Sequence, residues 1–520
     1  MKKLLILMVI LFVSFTVFAG GASESNLNTQ PTEKKGGVVV IGTTSTVTSL
    51  NSIDMRGTDQ FFENLLYESL LTVGANGVIE PVLAESYFGD PENKTYTFKL
   101  RQGVKFHDGS DFNAEVAKWN LEYYKEKGVY GPSYLGVVES IEIVDDYIIV
   151  LHLSTWDAFL PVSMARGGGA SYIMSKLAYD TYGSEYLAKH PVTTAAFMFD
   201  SWKEGEYIKL VKFADYWQGE PLLDGVTVEM YSEDMVLQAA FEAGDVHIYG
   251  VSSGDTASYL ESKGYFIQRS SSASMAYVIG FECNEPKDPF RDVRVRQAVC
   301  YALDSQAITD TCFAFNGQVA TQLDSEGGTY YNKKVNDYSL NIEKAKELLA
   351  EAGYPKGFTT TLSTMSLWNL PLPAQMIVEQ LKKVGITVNL NIVERAQFFV
   401  LQDGWGTEGG MFMSCFSLPA GGGSQYAANF AQNLGSGFGR TSILHPDDVN
   451  DLIQKAKNSS GEECVSYIKD VEELIFNKYC LMNVFCLTHS MTAISDKLID
   501  SNYGKDTGSS NTLWKAYLVN

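Results

Sequence analysis

The chain of 520 residues carries 62 Asp and Glu against 40 Lys and Arg, a formal net charge of −22. This length exceeds what one hydrophobic core normally supports and predicts two or three domains. The negative charge disfavours nucleic acid and anionic lipid as partners and favours small solutes or proteins. The seven cysteines are too sparse for a disulfide framework, and the sequence cannot choose pairs for the one or two disulfides that an exported protein could form.

The N-terminus predicts export. Two lysines precede an apolar run over residues 4–18, and small residues follow it, as in a secretory signal peptide. The run is shorter than the roughly 20 residues that a membrane-spanning helix needs. Because the first cysteine is Cys283, we expect no lipid attachment near the new N-terminus. We therefore expect a signal peptide over residues 1–19, a disordered tether over 20–35 and an extracytoplasmic protein that is not a lipoprotein.

The first predicted elements alternate between strands and helices. Residues 36–43 form a buried strand, and residues 61–71 have the apolar spacing of a helix. Residues 94–100 alternate between polar and apolar side chains, which is typical of a half-buried strand. A further buried strand is expected at 147–153, and a glycine-rich stretch surrounds Arg166.

The same alternation continues to the C-terminus and indicates mixed α/β layers. The strands expected there cover residues 207–213 and 226–230. The helices expected there cover residues 292–307, 342–352, 374–384, 449–456 and 461–479.

His107 lies in a conspicuous group of titratable residues with Asp108, Asp111 and Glu115. Asp108 followed by glycine predicts a turn, and Asn113 predicts the N-cap of an amphipathic helix. A metal site would need further ligands at short spacing, and the other five histidines are isolated. We therefore favour a strand-turn-helix unit over a catalytic or metal site.

Residues 404–409 match the pattern GxGxxG, but a helix is expected before them and a strand after them. A dinucleotide site needs the reverse order, so we interpret the match as chance. No GxSxG or HExxH pattern occurs, and we expect no catalytic residue, no metal and no cofactor.

Seven motifs occur in a fixed order along the chain. They are YTFKLRQGVKFHDG (96–109), HPVTTAAFMFDSWKEGEYIKL (190–210), DYWQGEPLLDGV (215–226), FEAGDVHI (241–248), DPFRDVRVRQAVCYALD (288–304), NIEKAKELLAEAGYPKGF (341–358) and VEQLKKVGITVNLNIVERAQF (378–398). Together they resemble the family 5 extracellular solute-binding proteins of peptide and nickel ABC importers. The ordered set is specific because it extends over nearly the whole mature chain.

The resemblance implies an α/β fold of the two-lobed periplasmic-binding-protein type, class II in its large three-domain variant. The resemblance also implies a hinge and a ligand cleft between the lobes. The expected division is lobe I at 36–55, 188–282 and 490–520, an inserted domain at 56–187 and lobe II at 283–489.

Two stretches depart from the family pattern. In peptide-binding relatives the stretch corresponding to 411–426 contains an acidic segment whose aspartate holds the peptide ammonium, whereas here the stretch has no carboxylate. An ordinary free-amine peptide is therefore disfavoured, since a buried ammonium without its partner costs about 2–5 kcal/mol. At 191–197 the family glycines are replaced, which suggests altered behaviour of a turn at the lobe crossing.

The candidate ligand-binding residues follow from position in the chain. The first two follow the first strand, where α/β proteins place ligands. The arginine is near the position of carboxylate-binding arginines in nickel-binding relatives, and the others line the departing stretch. For the aromatic residues the alternative is core packing, and for the arginine it is a salt bridge. The candidates are Ser45, Thr46, Arg166, Trp405, Phe412, Ser414, Phe416, Ser417 and Gln425.

The sequence thus predicts a non-catalytic, monomeric receptor that binds a small-molecule or peptide solute and delivers it to the membrane subunits of an ABC permease. Closure of the lobes would bury the ligand. A receptor for a nickel or other metal chelate, a solute sensor of the same fold and, less favoured, a secreted hydrolase remain alternatives.

Overall fold

The structure is a computed structural model. It describes residues 36–45, 47–54, 60–74, 78–165, 170–283, 285–394, 397–398, 400–401, 409–418, 426, 430, 443–505 and 513–519. Within these residues no helix is both long enough and apolar enough to span a membrane. The expected signal peptide and tether lie outside the described residues.

The elements are numbered here in chain order. The strands are β1 (Val38–Thr43), β2 (Leu71–Val73), β3 (Ile79–Pro81), β4 (Ala84–Asp90), β5 (Thr95–Leu100), β6 (Val138–Asp145), β7 (Ile148–Leu153), β8 (Phe197–Lys203), β9 (Tyr207–Lys212), β10 (Gly225–Met230), β11 (Ile248–Val251), β12 (Phe266–Arg269), β13 (Met275–Phe281), β14 (Gly317–Val319), β15 (Thr359–Met365), β16 (Thr387–Val393), β17 (Met411–Ser417), β18 (Met482–Thr488), β19 (Met491–Ile494), β20 (Leu498–Ile499) and β21 (Tyr517–Leu518).

The helices connect these strands. They are α1 (Gln60–Leu66), α2 (Ala114–Lys127), α3 (Gly131–Leu135), α4 (Leu160–Ala165), α5 (Lys176–Tyr182), α6 (Ser184–Leu187), α7 (Asp234–Ala243), α8 (Gly254–Ser262), α9 (Val293–Ala302), α10 (Ser305–Cys312), α11 (Ile342–Glu351), α12 (Pro371–Lys382), α13 (Asp447–Lys457) and α14 (Gly461–Glu472). A 3₁₀ turn (Pro289–Arg291) precedes α9, and a π-helical turn (Glu473–Lys478) follows α14.

The first large sheet has seven strands in the order β12-β19-β11-β1-β10-β9-β8 and forms the layer of lobe I. β1 lies in its centre, parallel to both β10 and β11. Val39 and Ile41 on one face of β1 are buried in one apolar cluster, and Val40 on the other face packs partly buried against a second cluster, as expected for a strand with both faces covered. The strand predicted at 36–43 is confirmed.

The second large sheet has six strands in the order β14-β18-β13-β17-β15-β16 and forms lobe II. β17 is antiparallel to β13 and parallel to β15. Helices α9 to α14 pack around this sheet. Their buried apolar residues and those of β13, β17 and β18 together form the largest apolar core. The mixed α/β two-lobed class is confirmed.

A third sheet, of four strands in the order β4-β5-β7-β6, forms the inserted domain and packs against α2. The Asn113 side chain accepts a hydrogen bond from the Val116 backbone nitrogen at 3.1 Å, so the predicted N-cap of α2 is confirmed. The domain also reaches lobe II, because Trp156 Nε1 donates to the Ser459 carbonyl at 3.0 Å and Phe159 joins the lobe II core.

Two chain segments cross between the lobes, from β12 to β13 and from β18 to β19. They are hydrogen-bonded to each other. The Ser270 nitrogen donates to the Ser490 carbonyl at 3.0 Å, and the Ser274 nitrogen donates to the Thr488 carbonyl at 2.8 Å. These two segments form the hinge.

The position of β13 changes one predicted boundary. The expected division places residues 275–281 in lobe I, but β13 pairs with β17 and β18 in the lobe II sheet. Its partners are more than a hundred residues away in sequence, so no local pattern could reveal the pairing. The chain therefore crosses before residue 275 rather than at 282, and the other boundaries stay predictions.

Two predicted helices have different limits in the structure. The helix predicted at 292–307 is interrupted at Leu303, and α10 begins after Asp304, whose Oδ1 accepts from the Ala307 nitrogen at 2.9 Å. The helix predicted at 61–71 ends at Leu66, and residue 71 already begins β2. In both cases an apolar spacing continues through a change of element.

Candidate ligand-binding site

The two crossings fix which sheet edges face each other. Because β13 begins and β18 ends at the hinge, the hinge lies at the edge where parallel strands β15 and β17 end. In lobe I, β12 ends and β19 begins at the edge where β11 ends, and β1 is parallel to β11. The carboxyl ends of the central parallel strands therefore meet at the hinge, where open α/β sheets bind ligands.

A cavity of about 230 Å³ lies at the hinge. The first crossing, the end of β17 and the loop after β14 form its wall. Its lining residues are Ser271, Ser272, Ala273, Leu323, Asp324, Ser325, Glu326, Gly327, Gly328 and Leu418. The Leu418 nitrogen donates to the Ser274 carbonyl at 2.8 Å, which ties the end of β17 to the crossing.

Two carboxylates border this cavity. Asp324 is buried, and its side chain accepts backbone hydrogen bonds from Ser325 at 3.0 Å and Tyr330 at 2.8 Å. Burial raises the pKa of Asp324 above its ordinary value, although these two hydrogen bonds lower it. Glu326 is exposed. Sequence reasoning missed this loop, which precedes the predicted stretch 411–426 by almost a hundred residues.

Trp368 is a second residue that sequence reasoning missed. It lies just beyond the end of β15, is 40% exposed, and has a φ of 56°. Asn369 beside it has a φ of 55°, so two consecutive residues adopt the left-handed conformation. The Tyr277 hydroxyl donates to the Trp368 carbonyl at 3.1 Å and holds this turn. Strained residues of this kind concentrate at ligand-binding sites.

The described candidate residues occupy different depths. Ser45 is partly buried just after β1, and its backbone nitrogen donates to Thr43 Oγ1 at 3.0 Å. Ser417 is exposed at the hinge end of β17, and Phe416 is buried beside it. These three residues lie at the facing sheet edges.

Phe412 and Ser414 lie further from the hinge along β17. Phe412 is 1% exposed and pairs with Gly280, and Ser414 is 5% exposed and pairs with Val278. A Cβ atom at Gly280 would overlap the ring of Phe412, so the ring packs directly on the neighbouring strand. Phe412 is therefore a core residue, and the proposed site does not include it. Thr46, Arg166, Trp405 and Gln425 lie outside the described residues.

Tyr426 closes the stretch 411–426 and is anchored to a buried acid. Its hydroxyl accepts from the Leu323 backbone nitrogen at 3.1 Å and donates to Glu472 Oε1 at 2.7 Å. Burial raises the pKa of Glu472 to about 9, although the hydrogen bond from Tyr426 lowers it. Glu472 is thus protonated at neutral pH. Through Tyr426 it connects α14 to the end of the stretch 411–426 and to Leu323 in the loop after β14.

His107 is held by hydrogen bonds to backbone carbonyl groups, which indicates a structural role. Its Nε2 lies 2.8 Å from the Ala195 carbonyl oxygen, and its backbone nitrogen donates to the Thr193 carbonyl at 2.9 Å. Burial lowers the pKa of His107 to about 4. Among the described residues, His, Cys, Asp and Glu form no group of three that could hold a metal ion. Most of the GxGxxG match at 404–409 lies outside the described residues.

The stretch 191–197 does not lie at the lobe crossing, which corrects the hinge hypothesis. Its residues join the inserted domain to lobe I. Thr194 Oγ1 donates to Glu68 at 2.8 Å, and the same carboxyl group accepts from the Tyr216 hydroxyl at 2.7 Å and from Trp217 Nε1. Burial raises the pKa of Glu68 to about 7, although these hydrogen bonds lower it. Motifs that are far apart in the sequence thus meet in a structural network.

Two α/β lobes, joined by two crossings and facing each other through the carboxyl ends of their strands, define a solute-binding receptor. Residues 78–437 match the sequence model of the family of bacterial extracellular solute-binding proteins, family 5, and the chain belongs to this family. Its members bind peptides or other small solutes and work with the membrane subunits of ABC importers.

Three similar proteins illustrate the family. The glutathione-binding protein GsiB of Shigella dysenteriae is 29% identical over 454 residues, which cover 85% of this chain and 87% of that protein. The structure of DppA from Helicobacter pylori, in complex with the peptide STSA, is 25% identical with a TM-score of 0.74 and covers 93% of this chain and 98% of that one. CtaP from Listeria monocytogenes, an ABC transporter substrate-binding protein, is 20% identical with a TM-score of 0.82, covers 94% of this chain and 100% of that one, and supports the fold alone.

Proposed function

We propose that this chain is an exported, monomeric receptor that binds a small peptide-like solute between its lobes and delivers it unchanged to an ABC permease. The observation that carries the proposal is the cavity at the hinge, whose lining includes Leu418 directly after Ser417 at the end of β17. Closure around a solute at this place would couple binding to the angle between the lobes. The glutathione-binding and peptide-binding relatives support a peptide-like ligand.

We further propose that Glu326 receives a ligand ammonium group. The stretch 411–426 has no carboxylate, which by itself disfavours a free-amine peptide. The loop after β14 brings Asp324 and Glu326 to the same cavity from another part of the chain. Asp324 already accepts two backbone hydrogen bonds, so the exposed Glu326 is the better partner for a cation.

Native mass spectrometry of protein purified from the periplasm of an expression host tests the ligand class. Retained ligand is released by denaturation and identified, and its titration into ligand-free protein by calorimetry gives the affinity. A peptide or peptide-like solute, recovered intact, supports the proposal. A metal chelate would favour the nickel-like alternative, and a hydrolysed product would favour the hydrolase.

Glu326→Gln tests the ammonium site. We expect the affinity for a free-amine ligand to fall about 10- to 100-fold, because a hydrogen bond to a charged group contributes about 1.5–3 kcal/mol. Glu139→Gln, an exposed glutamate of β6 in the inserted domain, serves as the control and should bind normally. Equal loss of affinity for an N-acetylated ligand, or no loss in Glu326→Gln, contradicts the assignment.

Export is the remaining part of the proposal. We propose cleavage after Ala19 and a mature N-terminus without lipid. N-terminal sequencing of the exported protein, with its intact mass, tests both points, and a chain that retains residues 1–19 would contradict them. Size-exclusion chromatography with light scattering tests the monomer.

A further inference from the structure

Two of the seven cysteines lie in direct contact in lobe II. Cys300 is on the last turns of α9, and Cys480 lies two residues before β18. Both are buried, and their sulfur atoms are 3.4 Å apart. A disulfide bond is about 2.05 Å long, so closing it would require an approach of about 1.4 Å. A change in the side-chain torsion angles of the two cysteines is sufficient for an approach of this size.

The backbone around Cys480 is held against α9 from several sides. Arg296, one turn before Cys300, is fully buried and donates from Nε to the carbonyls of Tyr479 and Cys480, each at 3.0 Å. The Tyr338 hydroxyl donates to the Phe476 carbonyl at 2.7 Å and anchors the preceding turn. Cys480 has a φ of 45°, an uncommon conformation for a residue with a side chain. The native fold thus presents the two sulfurs to each other without needing a bond between them.

Sulfur contacts elsewhere do not indicate a competing pair. Cys312 Sγ lies 3.5 Å from the Met376 sulfur, and the thiols of Cys283 and Cys486 donate to the carbonyls of Phe281 and Leu487. Cys415 and Cys464 lie on β17 and α14. Among seven cysteines, which allow many pairings, the fold therefore singles out one.

We infer that Cys300 and Cys480 form a disulfide bond when the chain folds in an oxidising compartment. Each thiol loses its proton and one electron, an S–S bond forms, and the disulfide of a thiol–disulfide oxidant accepts the two electrons and becomes two thiols. Because both sulfurs are buried in the folded chain, the exchange takes place during folding. The bond would connect α9 to the π-helical turn and β18, closing a loop of about 180 residues and restricting the unfolded chain.

Thiol counting after refolding in a glutathione redox buffer tests the inference on the full mature chain. We expect five alkylated cysteines when the denatured protein is treated with iodoacetamide alone and seven after prior reduction. Peptide mapping without reduction should recover the cross-linked peptides that contain residues 300 and 480. Seven alkylated cysteines without reduction, or a bond between any other pair, overturn the inference.

Two variants complete the experiment. Cys312→Ser should retain the bond and show four alkylated cysteines, and Cys300→Ala combined with Cys480→Ala should show five with or without reduction. Reduction should lower the melting temperature of the unmodified protein by about 5 °C or more and leave that of the double variant unchanged. Thiol counting on the unmodified protein remains decisive if the double variant does not fold. The assay in vitro does not depend on export, so failure of the proposed localisation is distinguishable.

Discussion

The replacement Glu472→Gln should change how the stability of the protein depends on pH. Glu472 is completely buried on the last turn of α14, and its Oε1 accepts the hydrogen bond from Tyr426. Asp324 raises its pKa further, and Lys469 lowers it only partly. The protonated form is thus the native one, and a glutamine has the same shape and retains an acceptor for the Tyr426 hydroxyl.

The magnitude follows from proton linkage. The pKa of Glu472 is about 9 in the folded protein against 4.5 as its ordinary value. Between these values the folded chain holds one proton more than the unfolded chain, so its stability falls as the pH rises, by about 1.4 kcal/mol per pH unit. From pH 5.5 to 7.5 the loss is about 2.7 kcal/mol. Glutamine has no proton to lose, so the variant should gain that amount relative to the unmodified protein.

Urea denaturation at several pH values measures the difference. The free energy of unfolding is compared for the unmodified protein, Glu472→Gln and Glu462→Gln, a control at an exposed glutamate in the first turn of the same helix. Only Glu472→Gln should diverge with pH. If all three curves run parallel between pH 5.5 and 7.5, Glu472 is ionised in the folded protein and the reasoning fails.

Two further predictions concern packing and titration. Gly280→Ala should destabilise the protein by about 1–3 kcal/mol in urea denaturation, because its Cβ would overlap the Phe412 ring, whereas Gly250→Ala, whose Cβ meets nothing within 4 Å, should be nearly neutral. Equal effects would contradict the packing argument. His107 should titrate near pH 4 by NMR. The free energy of unfolding should therefore decrease as the pH falls from 6.5 towards 4, because the unfolded chain binds the proton more readily than the folded chain. A pKa near the ordinary value of 6.5 would contradict the burial of the His107 ring.

Local patterns were sufficient for many individual elements. The strand at β1, the alternation in β5 and the capped helix after the His107 turn all depend on residues within one element. The ordered motifs also pointed to the family, because each is a compact folding unit such as the turn at Asp108. These features need only the spacing of apolar residues and the chemistry of caps and turns.

Contacts between distant segments were not accessible in this way. Tyr216 and Trp217 belong to one of the seven ordered motifs, but only the structure shows that both donate hydrogen bonds to Glu68. The changed glycine pattern at 191–197 predicts a turn at the lobe crossing, whereas the crossings lie at the serine-rich segment before β13 and after β18. A change of local pattern does not reveal which sheet the next strand will join.

The sequence by itself determined the α/β alternation and, through the order of its motifs, the two-lobed class, and its N-terminus predicts an export signal. Only the tertiary structure decided that Asp324 and Glu326 share a cavity with the end of β17, and that Cys300 faces Cys480 across 180 residues. The physical reason is that secondary structure depends on neighbours within a few residues, whereas a binding site depends on strand pairing between segments that are distant in the chain.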